Sequence, residues 1–431
     1  MKNRLKIISN YLFLSASMFI FFSCSSDKSV EPPPQTDIKI IVKSVVDSSA
    51  IAGSNVVLYN ANSGESLMRV TSGADGSAEF IGVNQGSFYV RIAAQGYKDL
   101  PIGNISPVPF SVNTWETFTQ TYYMDTLQGV YGKIDGNLVP AQGGFLIVAA
   151  SSGSGTEVHT YSGPDGYFAL FNVPFGVYQV YAVRSGYTIQ DKPDVTLTPA
   201  SPDASVSLSL VQSAGSSLNG MVTFLAAENG LVDISLLDRS SHSVVTGLTT
   251  RTDSSRDYIL ENIPAGEYIA WASYENDGYV MDPDWIFKNP GALNISFSSD
   301  SSAVLNFSVT DAISIISPTN PDESIIPVVA DSVVPTFSWD QYPQAKEYII
   351  EVRDINGDLV WGGFDENGVI RHAQIPRSVT NIQFNFDGSA FSQLQEGQVY
   401  QWKIYADDDL APNVQTLLSS SEDLKGLFII P

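Results

Sequence analysis

Aromatic side chains set beside carboxylates and amides are the residues of this sequence best spaced for recognition chemistry. Tyr279, Trp285 and Phe287 fall close together, interleaved with Asp282 and Asp284 and followed by Asn289. A sugar offers apolar ring faces that stack on Trp and Tyr, while its hydroxyls need carboxylate and amide partners nearby. The segment is therefore a candidate glycan platform. Its competing reading is that Trp285 caps a protein core, and aromatic side chains bury more often than they bind. Trp361, in Trp361-Gly-Gly-Phe364, is a second candidate for ligand stacking. Trp115, Trp271, Trp339 and Trp402 sit in strand-like patterns and are expected in cores.

Catalytic and metal chemistry finds little support. The three histidines, His159, His242 and His372, fall far apart, and none begins an H-x-x-E or H-E-x-x-H pattern that could hold zinc. There is no G-x-S-x-G elbow and no phosphate-cradling glycine loop. Asp354-Ile-Asn-Gly-Asp358 offers oxygen ligands at alternating positions, but its glycine comes too early for an EF-hand and no closing glutamate follows. Asn356-Gly357 reads better as a hairpin turn. Asp407-Asp408-Asp409 reads as a solvated loop, with an edge calcium site as the alternative. No catalytic residue, metal or cofactor is expected, and a hydrolase would need a carboxylate pair that only the fold brings together.

The elements that position these residues repeat. Gly86, Gly176 and Gly266 lie 90 residues apart, as do Val83, Val173 and Ile263 before them and Phe88, Tyr178 and Tyr268 after them. Asp75-Gly76 recurs as Asp165-Gly166, and Gly96-Tyr97 as Gly186-Tyr187. Such self-similarity marks a tandem array. Within each copy, runs such as Phe88 to Gln95 alternate with period two, Asn55 to Tyr59 and Phe145 to Ala150 are short apolar strands, and Val206 to Leu210 would close a sandwich. Aspartate-glycine pairs should make tight hairpins, and Pro174-Phe-Gly176 and Pro264-Ala-Gly266 sharp turns. The third copy departs twice. Ser255-Arg256 stands where a turn glycine is expected, so that hairpin should turn by another route, and Gly278-Tyr279 falls two residues late, ahead of an added Met281 to Pro290 loop. Breaks in a repeat are where a module can specialise.

The order of a first-strand glycine, D-G-x-F/Y, P-x-G-x-Y and a terminal G-Y resembles the carboxypeptidase regulatory-like, or transthyretin-like, domain over about 38–310. The resemblance implies small seven-stranded Greek-key sandwiches without catalysis, attached to larger surface proteins, and related sandwiches bind starch. After Ser317-Pro-Thr-Asn-Pro321, the residues Phe337-Ser-Trp339 and Leu394-Gln-Glu-Gly397-Gln-Val-Tyr400 resemble a fibronectin type III domain, implying a core tryptophan and a tyrosine whose hydroxyl bonds back to nearby backbone. The expected fold class is all-β: three sandwiches at 38–126, 127–212 and 213–311, then a fourth at 312–431.

The formal charge of −24 argues against nucleic acid as a partner. Lys2, Arg4 and Lys6, then an apolar Tyr11 to Phe22, read as a signal peptide over 1–23. Phe21-Phe22-Ser23-Cys24 resembles a bacterial lipobox, and Cys24 is the single cysteine of the chain. The resemblance implies acylation of Cys24 and a membrane anchor, with residues 24–37, including Pro32-Pro33-Pro34, as a semi-rigid tether. Ser25 carries no acidic retention signal, which favours the outer membrane, facing either the periplasm or the surface. The expectation is a non-catalytic, lipid-anchored binding or display protein whose ligand is a glycan or, alternatively, a surface protein.

Overall fold

The computed structural model describes residues 35–61, 63–100, 110–112, 116–151, 157–225, 230–272, 278–289, 291, 293–320, 327–354, 359–364, 371, 375–408, 416–422 and 425–431. Cys24 with the signal segment, the tether up to residue 34, Trp115, His372, residues 355–358 and Asp409 lie outside them.

The first sandwich comprises β1 (Gln35–Ser44), β2 (Asn55–Asn60), β3 (Ser66–Thr71), β4 (Ser77–Asn84), β5 (Gly86–Ala93), β6 (Phe110–Val112) and β7 (Phe118–Met124). One sheet runs β4-β1-β7 and the other β3-β2-β5-β6. The central strand β1 alternates, with Ile38, Ile40 and Val42 fully buried, and pairs in parallel with β7 so that the last strand closes on the first. Phe80, Phe88, Val90, Ile92 and Met124 complete this core.

The plan recurs. In the second sandwich Gly132–Val139 lies between Tyr167–Val173 and the parallel Asp203–Ser209, facing a sheet of Glu157–Tyr161, Leu146–Ser151, Gly176–Val183 and Asp194–Leu197. In the third, Ser216–Phe224 takes the central place beside Asp257–Ile263 and the parallel Phe307–Asp311, facing Val244–Arg251, Asp233–Asp238, Gly266–Ala272 and Asn294–Phe297. The inserted Tyr279–Met281 adds an edge strand to Phe307–Asp311, and a short helix, α1 (Pro283–Lys288), follows it.

The repeated turn motifs differ in role from the hairpins expected of them. Asp75-Gly76 joins β3 to β4, which lie in different sheets, so the turn carries the chain across the core. Asp165-Gly166 and Ser255-Arg256 do the same in their sandwiches. The third copy turns by the same route after all: Arg256 adopts φ +72°, matching Gly76 at +76° and Gly166 at +77°. In each copy this residue's N–H donates to the carbonyl three residues earlier. An L-residue there costs about 1–2 kcal/mol, whereas the Arg256 guanidinium over Phe224, at 5.5 Å, returns about 0.5–1 kcal/mol. Arg256→Gly is therefore expected to raise stability by up to about 1 kcal/mol. Urea denaturation reads the change, and a lowered midpoint would reverse the ranking of those two effects.

The P-x-G-x-Y spacing has a simple cause. Tyr178 and Tyr268 each donate their hydroxyl to the carbonyl of the proline four residues back, Pro174 and Pro264, at 2.9 Å. Burial without water makes that bond the phenol's replacement for hydration.

In the last sandwich, Ile315–Ser317, Thr336–Trp339 and Asn381–Gln383 face a larger sheet built on Glu347–Asp354 and Val399–Asp407. Trp339, Trp361 and Trp402 are buried around Phe337. The Tyr400 hydroxyl accepts the Gln395 backbone N–H at 2.9 Å, five residues upstream.

Candidate functional site

The inserted segment of the third sandwich is a wedge between that sandwich and the last one. Asp282, 5% exposed, caps α1 by accepting the Asp284 N–H at 3.2 Å, and Pro283 opens the helix with its φ already set. Trp285 is half-buried, its ring 5.9 Å from that of Phe307, and its carbonyl accepts the backbone and side-chain N–H groups of Asn289. Tyr279 meets Phe224 edge-on at 5.5 Å. Asp284 is half-buried in the first turn, and Phe287 lies in the same helix, its side chain outside the described residues. The segment thus puts Trp285 on the rim of the core and Asp282 in a cap. Trp361 is corrected outright as a stacking residue: it is fully buried, its indole N–H shared between Asp387 and Ser389 at 3.0 and 3.2 Å. Trp271, expected in a core, is half-buried.

Burial, and next the Asp284 charge, hold the Asp282 carboxyl above its ordinary pKa. The native state then binds that proton more readily than the unfolded chain. This contribution is fully present below the unfolded pKa and is lost as pH rises through the folded one. Asp282→Asn keeps a capping oxygen without the charge, so it should remove this loss and leave neutral-pH stability equal or slightly higher, whereas Asp282→Ala should cost about 0.5–2 kcal/mol. Denaturation midpoints across the acid range compare the three proteins.

The terminal Gly-Tyr pair is the joint between successive domains. The Gly96 N–H donates to Asn172 Oδ1 of the second sandwich at 2.8 Å, and Asn172 Nδ2 returns bonds to the Ala94 and Tyr97 carbonyls. One repeat later, the Gly186 N–H donates to the Asn262 carbonyl of the third sandwich at 2.8 Å. The shifted Gly278 donates to Glu422 Oε1 of the last sandwich at 2.6 Å. All three glycines hold left-handed φ, at +81°, +79° and +85°, with open space where a side chain would begin. The acceptors Asn172 and Asn262 sit at register shifts in their strands and hold φ +56° and +58°. A bulge re-aims the backbone outward, here toward the preceding module.

The first three sandwiches also meet at one junction. Strand β2 is buried on both faces: Val56 and Leu58 point into its own core, Val57 and Tyr59 into a shared cluster. Leu146 and Val148 of the second sandwich join that cluster from the face opposite to Ile147 and Ala149. Tyr161 stands edge-on to Tyr59 at 5.6 Å and donates its hydroxyl to the Val244 carbonyl of the third sandwich at 2.7 Å. Tyr181 donates to the Asp238 carboxylate. Glu65 spans from the first sandwich to the third, accepting the Gly247 N–H at 2.6 Å and the Thr249 hydroxyl at 3.0 Å. Between the first two, Asn55 donates to the Ala169 carbonyl and Arg69 to that of Tyr167. His159, whose sequence context offers no metal partner, lies in this interface with Nε2 2.8 Å from Ser243 Oγ.

Where the third and last sandwiches meet, a groove of about 520 Å³ opens. Leu225, Thr310 and Asp311 come from the third sandwich, and Ile313, Asp340, Tyr342 and Gln344 from the last. The two sandwiches are held together there by the Ser419 hydroxyl on the Asp311 carbonyl at 2.5 Å and by the Thr310 and Tyr342 hydroxyls at 2.9 Å. Sequence reasoning missed these residues because they come from two domains and become neighbours only through the joint. Among the described residues no group of three or more His, Cys, Asp or Glu side chains could hold a metal ion, and no helix is long and apolar enough to cross a membrane.

No family model and no curated protein matches the chain. Among solved structures it is similar to the Bacillus anthracis TIE protein, at 15% identity and TM-score 0.19 over 64% of this chain and 51% of that one. The chain thus spans about half of that protein's length. A streptococcal ancillary pilin matches at 11% identity and TM-score 0.19, over 64% of this chain and 98% of that one. The major pilin subunit BcpA of Bacillus cereus matches at 11% identity and TM-score 0.18, over 64% and 100%. Likeness at this level bears on neither ligand nor partner; the fold class, tandem β-sandwiches, rests on the sheets themselves.

Proposed function

We propose that this chain is a non-catalytic display and binding protein, lipid-anchored through Cys24 to the bacterial outer membrane, whose ligand is a carbohydrate. The observation that carries the reading is the repeated Gly96, Gly186 and Gly278 joint, in which each glycine N–H bonds the next sandwich. A rigid array on a proline-containing tether suits presentation of a binding surface away from a bilayer. The resemblance of the first three sandwiches to regulatory-like domains points the same way. The mature chain on a glycan array is expected to retain at least one uncharged polysaccharide; retention of none would overturn the carbohydrate assignment. For the anchor, metabolic labelling with a radioactive fatty acid should mark the protein and fail on Cys24→Ser.

A second reading, an adhesive spacer with a protein partner, is favoured by exposed apolar side chains near Trp361 in the last sandwich. Phe386 and Phe391 are 47% and 53% exposed, and patches of this kind mark protein contacts. Crosslinking on intact membranes followed by pull-down should then recover a partner that Phe386→Ser with Phe391→Ser loses, and recovery of the chain alone would count against it.

A further inference from the structure

We propose that the groove between the third and last sandwiches is the binding site of a short, uncharged oligosaccharide; this rests on the carbohydrate reading above and assigns it a place. Its volume of about 520 Å³ falls within the range of about 300–1,000 Å³ usual for small-ligand clefts. Such clefts favour domain interfaces, and this one is fixed by hydrogen bonds across it, so little ordering is left for the ligand to drive.

The lining decides the ligand class. Asp311 and Asp340 line the groove, no lysine or arginine is among its described lining residues, and the Arg377 guanidinium behind it is committed to the Pro343 carbonyl at 2.7 Å, on a chain of net charge −24. A phosphate, sulfate or uronate would meet repulsion without a counter-charge. Leu225, 61% exposed, with Pro343 and Leu418 gives apolar wall. The Tyr342 hydroxyl is occupied with that of Thr310, at 2.9 Å, and this fixes the ring where it lines the groove. Carboxylates and the Gln341 and Gln344 amides alternate with those surfaces. Apolar walls interleaved with acceptors and amides match a pyranose, which presents C–H faces and a rim of hydroxyls. An amine would use the carboxylates and leave the apolar walls without a role.

Titration calorimetry of the mature chain with maltotriose, cellotriose and triacetylchitotriose tests this, with spermidine and trigalacturonate as charged controls. One neutral trisaccharide is expected to bind with little dependence on salt. Tyr342→Ala and Leu225→Glu should each weaken it by about tenfold or more, whereas Tyr342→Phe, which keeps the ring but loses the hydroxyl that fixes it, should fall between Tyr342→Ala and the native protein. Leu225 is exposed, so its variant remains informative if Tyr342→Ala fails to fold. Binding that survives both Leu225→Glu and Tyr342→Ala overturns the groove as the site and leaves the carbohydrate reading standing. Binding of no neutral saccharide overturns both, and salt-sensitive binding of spermidine in place of a sugar overturns the ligand class.

Discussion

Tyr161→Ala is expected to destabilise the first three sandwiches by about 3–5 kcal/mol, the usual cost of truncating a buried aromatic, and to break their unfolding into separate steps. Tyr161 is 1% exposed, and it packs not in the core of its own sandwich but in the cluster that the third sandwich shares with its neighbours. It touches Tyr59 of the first sandwich and bonds Val244 of the third, so its removal opens a void where three modules meet. The first two modules have cores of their own, and the third keeps Leu218, Val222, Ile234 and Phe307 packed together, so loss of the junction should leave modules that melt independently. Burial in this junction also drives the phenol's pKa upward, as expected of a hydroxyl whose protonated form is held by a carbonyl. Calorimetry should show one main transition for these three sandwiches in the native protein and two or more in the variant. A single transition at the native midpoint would mean that the junction contributes nothing.

Gly220→Val is expected to cost more than about 3 kcal/mol through overpacking, with no room for relief. A Cβ on Gly220 would overlap the Leu305 carbonyl oxygen and press on the Tyr258 ring, and Tyr258 itself donates its hydroxyl to that same carbonyl. Gly136 stands in the same relation to the Val206 carbonyl and the Phe168 ring of the second sandwich. Gly220 stands at the first-strand glycine of the repeat pattern, and Gly136 is its structural counterpart in the second sandwich. They are required because a carbonyl of the closing parallel segment, beside the central strand in the same sheet, occupies the place of a Cβ. Urea titration of Gly220→Val and Gly136→Val should show comparable losses, and native-like midpoints would show that the closing strands can move aside.

The all-β class and the repeat were legible because every landmark has a local cause. Tyr178 and Tyr268 are spaced to reach Pro174 and Pro264, and Gly76, Gly166 and Arg256 occupy one backbone conformation. What joins the modules was legible only in part. Asn55 to Tyr59 and Phe145 to Ala149 are apolar without alternation, the pattern of a strand covered on both faces, and that signal pointed to the junction without saying what covers the second face. The Gly-Tyr pair looked like the end of a module, and its role as a donor to the next domain appears only once Asn172, Asn262 and Glu422 are in place. Trp361 reads as a candidate for ligand stacking, yet Leu359–Gly362 is a strand that turns the indole inward. The groove unites residues more than a hundred positions apart, such as Leu225 and Tyr342, and no local pattern encodes that proximity.

The account turns on one claim, that the sandwiches form a fixed array. Spin labels on Val46→Cys in the first sandwich and Val333→Cys in the last, both exposed positions, measure it by pulsed electron resonance on the mature chain with Cys24 replaced by Ser. A single narrow distance distribution is the predicted result. A broad distribution, as from modules swinging independently on their linkers, would contradict it.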